Sequence, residues 1–252
     1  MVAGPYRTAL VTGASKGIGA AICRKLAHEG LEVLALARSR QALEALAGEC
    51  NGIVPLVADV TDIDAVAKVL GERSIDVLVN NAGGLASVRP LHEQSVEETA
   101  STIRLNLTAP LQLAQMLLPG MIARGRGHIF NLTSTAAHNV FPGTTAYGAA
   151  KAALSQAGKI LRYDLAGTNV RISEIIPGRV ETEFYLQAFS GDRTTLTERM
   201  YARQRALQPD DVAAALVAAL NMPQHVDLAQ IEVSPTDQAA GGQVYGVVGK
   251  EK

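Results

Sequence analysis

Apolar residues in this chain follow two patterns that alternate along its length. Short runs that are apolar almost throughout, such as Thr8–Thr12, predict buried strands. Between these runs, apolar residues recur every three or four positions, as in Ile18–Glu29, and predict helices. The predicted strands are Thr8–Thr12, Glu32–Ala37, Ile53–Ala58, Ile75–Val79, His128–Leu132, Val170–Ile176 and Ile231–Val233, and the predicted helices are Ile18–Glu29, Gln41–Glu49, Asp62–Glu72 (capped by Asp62 or Thr61), Ile103–Ala123 and Ala146–Ala166, with further helical segments running to Leu220.

This alternation indicates the class of fold. Because the strands are apolar on both faces, we expect a parallel sheet that is covered by helices on both sides. Right-handed crossovers then give a doubly wound α/β fold, in which ligands bind at the carboxyl ends of the strands. No repeat, low-complexity tract or linker interrupts the 252 residues, so we expect residues 1–252 to form a single domain.

Composition narrows the classes of function. The chain is 48% hydrophobic and 19% charged, and its net charge of −1 gives no indication of a nucleic-acid partner. No apolar run approaches the roughly 18 residues that span a bilayer, and the first residues lack the layout of a signal peptide. Cys23 and Cys50 have no metal-ligand companions. We therefore expect a cytoplasmic protein with no metal, membrane or nucleic acid as partner.

A glycine-rich turn directly follows the first predicted strand, with the spacing Gly-x-x-x-Gly-x-Gly. Glycines let a backbone turn tightly and approach a pyrophosphate, and the N-terminus of the next helix offers free N–H groups. Its position between a strand and a helix therefore indicates a dinucleotide site. The residues expected to contact the cofactor here are Gly13, Ser15, Lys16, Gly17, Ile18 and Gly19.

The end of the second strand favours NADP over NAD. NAD sites usually carry an Asp or Glu about 20 residues past the glycines, whereas NADP sites carry a basic residue for the extra phosphate. Here Ala37 takes the place of the carboxylate and Arg38 follows it. A guanidinium binds phosphate through two hydrogen bonds, and Lys16 would add a second positive charge. The alternative is that Arg38 only begins a solvated helix.

Two further strand ends carry candidate cofactor contacts. Asp59 and Val60 follow the third strand, where the carboxylate would accept a hydrogen bond from the adenine amino group or would simply cap the next helix. Asn81, Ala82 and Gly83 follow the fourth strand. This small turn would let the cofactor pass while bracing the central strands, although an ordinary Asn-Gly-type turn has a similar composition.

Tyr147 and Lys151 lie four residues apart in a predicted helix, with Ser134 a short distance upstream. Residues four apart share one helix face, so an ammonium would lie beside a phenol. A nearby positive charge lowers a tyrosine pKa from its usual value of about 10, and such a phenol can donate or accept a proton near neutral pH. Such a pair can also share a helix face by chance, but the glycine turn and the strand-end residues favour the catalytic interpretation.

With these motifs, the chain resembles the short-chain dehydrogenase/reductase family over nearly its whole length. The resemblance implies a Rossmann-type fold, an Asn–Ser–Tyr–Lys active site that uses a nicotinamide dinucleotide of the NADP-preferring branch, and a homo-oligomer, commonly a tetramer built on the two long helices. The motifs occur in the family's order: the glycine turn, Asn80–Gly83, Asn106, Ser134, Tyr147-x-x-x-Lys151 and Pro177-Gly178-x-Val180-x-Thr182.

The resemblance also implies a role for each residue. Tyr147 would be the general acid or base, and Ser134 would donate a hydrogen bond to the substrate oxygen. Lys151 would lower the tyrosine pKa and bind the nicotinamide ribose. Asn106 would hold a water that links the lysine to solvent, or fix a helix bend, or do both. The implied cofactor residues after the sixth strand are Pro177, Gly178, Val180 and Thr182.

The region that follows concerns the substrate. Residues 181–207 are expected to form a substrate loop and helices, with Phe184, Tyr185, Phe189 and Tyr201 as candidate pocket walls. For any single one of these aromatics, packing of a surface helix is the commoner role. Arg179 would recognise a substrate carboxylate or a cofactor phosphate, or would be solvated or structural; all of these readings remain open. His138 and Asn139, just beyond Ser134, are candidates to line the pocket, although a lone histidine is more often structural and the four catalytic residues leave it no required role.

The leading hypothesis is an NADP(H)-dependent carbonyl reductase, or its reverse, for a small molecule. The stretches Val180–Phe184 and Ser234–Gln238 look like the branch that acts on short 3-hydroxy acids and related small alcohols. A 3-oxoacyl thioester reductase is an alternative, but the tail around Ile231–Gly242 departs from the ending common in that group. A non-catalytic dinucleotide sensor is a second alternative, disfavoured because the Ser, Tyr and Lys groups are all present.

Overall fold

Seven parallel strands form one sheet in the order β3-β2-β1-β4-β5-β6-β7, which confirms the predicted doubly wound α/β class. The structure, a computed structural model, describes residues 6–184, 186, 191–198 and 205–238. The strands are β1 Thr8–Thr12, β2 Glu32–Ala37, β3 Ile53–Val57, β4 Val77–Asn80, β5 Gly127–Leu132, β6 Val170–Pro177 and β7 Gln230–Val233. The helices are α1 Gly17–His28, α2 Arg40–Glu49, α3 Ile63–Leu70, α4 Val96–Ile103, α5 Ala109–Ala123, α6 Thr145–Asp164, α7 Arg193–Leu196 and α8 Pro209–Leu220.

Helices cover both faces of the sheet, and this explains why the strands are apolar throughout. Every residue of β4, β5 and β6 is buried. Successive residues of β1 enter different cores because side chains alternate across a strand. Leu10 packs in the core that contains α3 and α5, whereas Val11 packs in the core that contains α1, α2 and α8. Burial of each such side chain contributes about 1.5–3 kcal/mol.

The strand order reverses at β1, whose neighbours are β2 on one side and β4 on the other. Such a switch point leaves a crevice outside the carboxyl ends of the two strands, because the connections leave in opposite directions. The residues that follow β1 and β4 therefore face a common opening, and the functional site is expected there.

The predicted helix Ile103–Ala123 is wrong at its start. The helical stretch begins at Val96, where Ser95 accepts a hydrogen bond from the Glu98 N–H and the Glu98 carboxylate accepts from the Ser95 N–H. This capping box satisfies two N–H groups that a helix start otherwise leaves unpaired. Residues Arg104–Thr108 then form a π turn before α5 begins.

Other boundaries agree with the prediction to within about two residues, the usual uncertainty of helix and strand ends. Asp62 is confirmed as the cap of α3, since its side chain accepts a hydrogen bond from the Ala65 N–H at 3.0 Å. α3 ends at Leu70 because Gly71 follows with a φ of 58°, which glycine adopts readily. In the part of the chain that is described, no helix combines the length and apolar character that a membrane span requires.

Candidate active site

A crevice of about 1010 Å³ opens at the switch point. Every predicted catalytic and cofactor residue except Asn106 lines it. The glycine turn after β1 forms one wall, and Ser134, Tyr147 and Lys151 lie at the other end. The sheet thus brings together residues that are up to 169 positions apart in the sequence, from Gly13 to Thr182.

The glycine turn has a backbone that other residues would strain. Gly13 and Gly17 have φ values of 65° and 56°. A side chain at Gly19 would strike the Gly13 carbonyl oxygen and lie 2.5 Å from Asn81 Nδ2. Lys16, the N-cap of α1, supplies no side-chain hydrogen bond to the helix start. The first N–H groups of α1 therefore have no capping side chain and suit the oxygens of a phosphate.

Thr12 ties the ends of β1 and β4 together. Its hydroxyl donates to the Val79 carbonyl at 3.2 Å and accepts from the backbone N–H groups of Asn81 and Ala82 at 3.1 and 2.9 Å. The Asn81 side chain returns a hydrogen bond to the Thr12 carbonyl at 2.8 Å. These four bonds fix the width of the opening and support the predicted bracing role of this turn.

The predicted phosphate ligands both lie beside carboxylates. Lys16 Nζ is 3.0 Å from Glu183 Oε2, and Arg38 Nη1 is 3.9 Å from Asp59 Oδ2. The Lys16 and Arg38 side chains are 68% and 82% exposed, respectively. Exposed ion pairs contribute only about 0–1 kcal/mol, so an incoming phosphate can compete for both cations.

The structure rules out two alternative roles, that Arg38 begins a helix and that Asp59 caps one. Arg38 lies before α2, whose cap is Ser39, so it does not begin that helix. Asp59 is likewise not the cap of α3, because Asp62 is. Partial burial raises the pKa of Asp59, but hydrogen bonds from Thr61 and the charge of Arg38 outweigh it and lower that pKa overall. Asp59 is thus an anionic acceptor on the crevice wall, and its adenine role stays a prediction.

Tyr147 and Lys151 lie on the first turns of α6, and both side chains are buried. Lys151 Nζ is 5.7 Å from the centre of the Tyr147 ring and donates to the Leu132 carbonyl at 2.7 Å. Gly148 lets α6 pack closely on the 3-10 helix Thr135–Ala137, because a side chain there would lie 3.2 Å from the Ala136 carbonyl oxygen. Burial lowers the pKa of Lys151 from 10.5 to about 8.

Ser134 also lines the crevice and lies at the start of the short 3-10 helix Thr135–Ala137. Its Oγ accepts a hydrogen bond from the Ala136 N–H at 3.1 Å. Among the described residues, none accepts the hydroxyl hydrogen, so the hydroxyl can donate to a ligand oxygen. The hydroxyl is half-buried in the crevice wall, where it is held by its own backbone turn.

Asn106 is fully buried in the π turn and lies behind the crevice wall. Its Nδ2 donates to the carbonyls of Gly84 and Thr102 at 2.7 and 2.8 Å, and its Oδ1 accepts from the Gly84 N–H at 3.3 Å. These bonds tie Asn106 to the irregular turn between α4 and α5, and its roles in a helix bend and in a water relay stay predictions. A side chain at Gly83 would lie 2.9 Å from Asn106 Oδ1 and 3.3 Å from Lys151 Nζ, so this glycine keeps the space beside both polar atoms open.

Some predictions for the substrate end were wrong. His138 and Asn139 do not line the crevice as described. The Asn139 amide donates to the Thr135 carbonyl, and His138 Nε2 lies 3.6 Å from the buried Glu174 carboxylate. These partners lie outside the residues that line the crevice. Phe184 does line the crevice, 5.5 Å from the Tyr147 ring between centres, whereas Tyr185, Phe189 and Tyr201 lie outside the described residues.

Sequence reasoning missed three residues of the crevice wall. Leu85, Arg104 and Leu105 line the crevice, and the last two belong to the π turn after α4. The Ser95-x-x-Glu98 pattern was the available signal for that helix. Within the described ranges, no group of three or more His, Cys, Asp or Glu side chains is placed to hold a metal ion.

Comparison with known proteins gives matches over nearly the whole chain. A family model described as short chain dehydrogenase matches residues 7–192. An uncharacterized short-chain type dehydrogenase/reductase, y4eK of Sinorhizobium fredii, is 43% identical over 238 residues, covering 94% of each chain. The NADP-dependent 3-hydroxy acid dehydrogenase YdfG of Salmonella typhi is 37% identical over 240 residues, covering 92% of this chain and 96% of the relative. A solved structure, the closed form of serine dehydrogenase complexed with NADP+, has a TM-score of 0.89 at 35% identity, covering 95% of this chain and 99% of that chain.

Proposed function

The chain belongs to the short-chain dehydrogenase/reductase family, and from this premise we propose that it is an NADP(H)-dependent oxidoreductase for a small hydroxy acid or its keto form. The hydride passes between the nicotinamide and the carbonyl or alcohol carbon of that substrate. One observation above all supports this proposal. The glycine turn and the side chains of Ser134, Tyr147 and Lys151 line the same crevice.

The residues of the crevice fit a phosphorylated dinucleotide. The uncapped start of α1 and the glycines with positive φ suit a pyrophosphate. Ala37 replaces the carboxylate that would repel an extra phosphate, and Arg38 and Lys16 offer two exposed cations. The NADP in the name of YdfG and the NADP+ in the serine dehydrogenase structure support the same choice. When bound, the nicotinamide supplies or accepts the hydride.

The protein's own groups handle the proton. In reduction, the Tyr147 hydroxyl donates its proton to the substrate oxygen, and in oxidation the phenolate takes it back. The Ser134 hydroxyl donates a hydrogen bond to that oxygen and stabilises the negative charge that develops on it. Lys151 is mainly an ammonium below its pKa of about 8, so near neutral pH its charge favours the phenolate. Phe184 packs beside the Tyr147 ring and helps to exclude water.

Arg179 supports an acidic substrate. Its backbone is fixed on both sides, because its N–H donates to Gln238 Oε1 at 2.7 Å and its carbonyl accepts from the Leu207 N–H at 2.9 Å. The half-buried side chain lines the crevice, and no carboxylate of the described residues pairs with its guanidinium. Both 3-hydroxy acids and serine carry a carboxylate. We therefore assign Arg179 to the carboxylate of the substrate, with the cofactor phosphate as the competing ligand.

The role of Tyr147 can be tested by the Tyr147→Phe substitution. Turnover of NADPH with short keto acids, and of NADP with 3-hydroxy acids, is expected to fall by about 100-fold to 10,000-fold, since general acid catalysis contributes that much. The dissociation constant for NADPH, followed by nucleotide fluorescence, should stay within about twofold, because the phosphate-binding residues are untouched. Normal turnover by Tyr147→Phe, or wild-type protein that binds NADPH but turns over no member of a broad panel, would contradict the function.

The role of Arg179 can be tested by the Arg179→Leu substitution with paired substrates. The KM for a 3-hydroxy acid should rise about tenfold to 100-fold, as expected for loss of a hydrogen-bonded charge pair. The KM for the methyl ester of the same acid should not change. A rise in the KM for NADPH, with the ratio of acid to ester unaltered, would instead place the cofactor phosphate on Arg179.

We also propose that the chain is a cytoplasmic homotetramer built on α5 and α6. Ile122 on α5 and Ile160 and Tyr163 on α6 are large apolar side chains that are exposed in the single chain. Exposed apolar side chains on these two helices favour an interface between subunits. Sedimentation analysis of the purified protein tests this, and a monomer at micromolar concentration would refute it.

A further inference from the structure

Glu174 places a carboxylate inside the protein, on the otherwise mostly apolar strand β6. Only 6% of the residue is exposed, and it does not line the crevice described above. Its Oε1 accepts a hydrogen bond from Thr133 Oγ1 at 2.7 Å, and its Oε2 accepts from Ser155 Oγ at 2.9 Å and from Gln230 Nε2 at 2.7 Å. His138 Nε2 lies 3.6 Å from Oε1. The nucleotide and substrate contacts proposed so far leave this cluster unused.

The partners of Glu174 belong to the two segments that carry the proposed catalytic groups. Thr133 immediately precedes Ser134, and His138 follows the 3-10 helix that Ser134 caps. Ser155 lies one helical turn after Lys151 on α6, and its side chain is buried. One carboxylate thus holds the serine segment against the tyrosine and lysine helix.

We propose that Glu174 is a positioning residue for the reaction, which sets the distance between the Ser134 hydroxyl and the groups on α6. This inference rests on the proposed function, because it concerns how the same crevice reaches its working geometry. It assigns Glu174 no contact with substrate or cofactor. Its effect passes through Thr133 on one side and Ser155 on the other.

The chemistry of the cluster explains why a carboxylate is required. Two hydroxyls and an amide all donate to Glu174, and an ionised carboxylate has only acceptor sites. In a neutral amide of the same shape, the oxygen can keep the bonds from Ser155 and Gln230, but the NH2 group would then face Thr133 and make its hydroxyl an acceptor. The Thr133 hydrogen would keep only its longer bond to the Ile175 carbonyl, at 3.4 Å. The close bond between the Thr133 hydroxyl and the carboxylate would thus be lost, and we expect the serine segment to shift.

We expect Glu174 to act by positioning the serine segment and α6, and not by an electrostatic effect of its charge on Lys151. Burial is the cause of the lowered pKa of Lys151, with no contribution from a neighbouring carboxylate. Removal of the Glu174 charge should therefore leave the pH at which activity changes where it is. What should change is the rate at the plateau of the pH profile.

The test uses the full-length protein and the Glu174→Gln substitution. NADPH binding, titrated by fluorescence, gives the number of competent sites and the dissociation constant, and kcat is then expressed per competent site. We expect kcat per site to fall about tenfold or more, since small misplacements of reacting groups have effects of that size. The dissociation constant for NADPH and the apparent pKa of the rate profile should stay within error of the wild type.

Coupling to Thr133 separates positioning from a general loss of stability. Thr133→Val removes one donor and should lower kcat per site by itself. If Glu174 acts through Thr133, the double variant will be little worse than the worse single variant, whereas independent effects would multiply. Should Glu174→Gln fail to fold, Thr133→Val and Ser155→Ala each remove one bond of the cluster and give the same readout.

Asp227→Asn is the matched control. This carboxylate also joins β6 to α6, through Ser173 and Arg162, and among the described residues it forms no hydrogen bond with the segment from Thr133 to His138. Its loss should leave kcat per competent site within about twofold of wild type. Wild-type kcat per site in Glu174→Gln, or equal losses in both carboxylate variants, would overturn the positioning role while leaving the function intact. Wild-type protein without any turnover would remove the function and this role together.

Discussion

Replacement of Lys151 by methionine should remove activity without weakening the fold near neutral pH. Burial lowers the pKa of Lys151 from 10.5 to about 8. At 1.36 kcal/mol for each pKa unit, the ammonium costs the folded protein about 3 kcal/mol near pH 7, relative to a side chain that is not charged. Methionine has a similar length and no charge. Loss of the hydrogen bond to the Leu132 carbonyl offsets about 1.5–3 kcal/mol of the gain, so the variant should be as stable as wild type or slightly more stable.

The dependence on pH gives a sharper expectation than the absolute stability. Because the folded pKa of Lys151 lies below the unfolded one, the unfolded chain binds more protons between about pH 8 and 10.5, and wild-type stability rises with pH in that window. The Lys151→Met variant has no ammonium at this position, so this rise of stability with pH is absent from it. Its stability relative to wild type should therefore fall by about 2 kcal/mol between pH 7 and pH 9.5.

Urea unfolding of the protein without nucleotide, followed by circular dichroism at both pH values, measures this difference. Lys159→Met on the same helix is the control, because Lys159 is exposed to solvent. Its stability relative to wild type should not change between the two pH values. A difference for Lys151→Met that is also constant with pH would show that the buried ammonium does not carry the assigned cost.

Two further substitutions test the nucleotide site. Gly19→Ala should weaken NADPH binding at least tenfold, because its methyl group would strike the backbone of the glycine turn. Gly48→Ala is the control, since no atom lies within 4 Å of the added methyl group. It should leave NADPH binding unchanged and add about 1 kcal/mol to stability through helix propensity. Isothermal titration and thermal unfolding check both outcomes, and equal affinity in the two variants would contradict the packing argument. Arg38→Asp combined with Lys16→Ala should reduce the preference for NADPH over NADH by about 100-fold, since each phosphate contact is worth about 1.5 kcal/mol or more. Equal losses for both nucleotides would remove the argument for phosphate recognition.

Elements with a strong apolar pattern were predictable from the sequence. The seven strands were found because burial on both faces makes them apolar throughout, as in β5 and β6. α4 was missed for the opposite reason. Thr102 is its buried residue, and Val96 at its start is 87% exposed. The apolar face of this short helix consists of Val96, Ala100 and Ile103 alone, which is a weak pattern. Its capping box was the usable signal.

The sequence predicted those parts of the site whose functional residues lie close together along the chain. The glycine spacing and the Tyr147–Lys151 pair can be recognised within a few residues of sequence, and the structure places both on one crevice. Glu174 could not be found in this way. Its three hydrogen-bond partners are between 19 and 56 positions away, so only the folded sheet brings them together. The partner of His138 could not be found for the same reason, since it is that distant carboxylate.

The π turn at Arg104–Thr108 restricts how the chain can change length. A π turn contains one residue more than an α-helical turn, so a single deletion there would restore a regular helix. It would also rotate the residues on one side of the deletion by about 100° relative to those on the other. Asn106 would then leave Gly84, and Leu105 would leave the crevice. Natural variants and engineered libraries should therefore keep this helix at its present residue count.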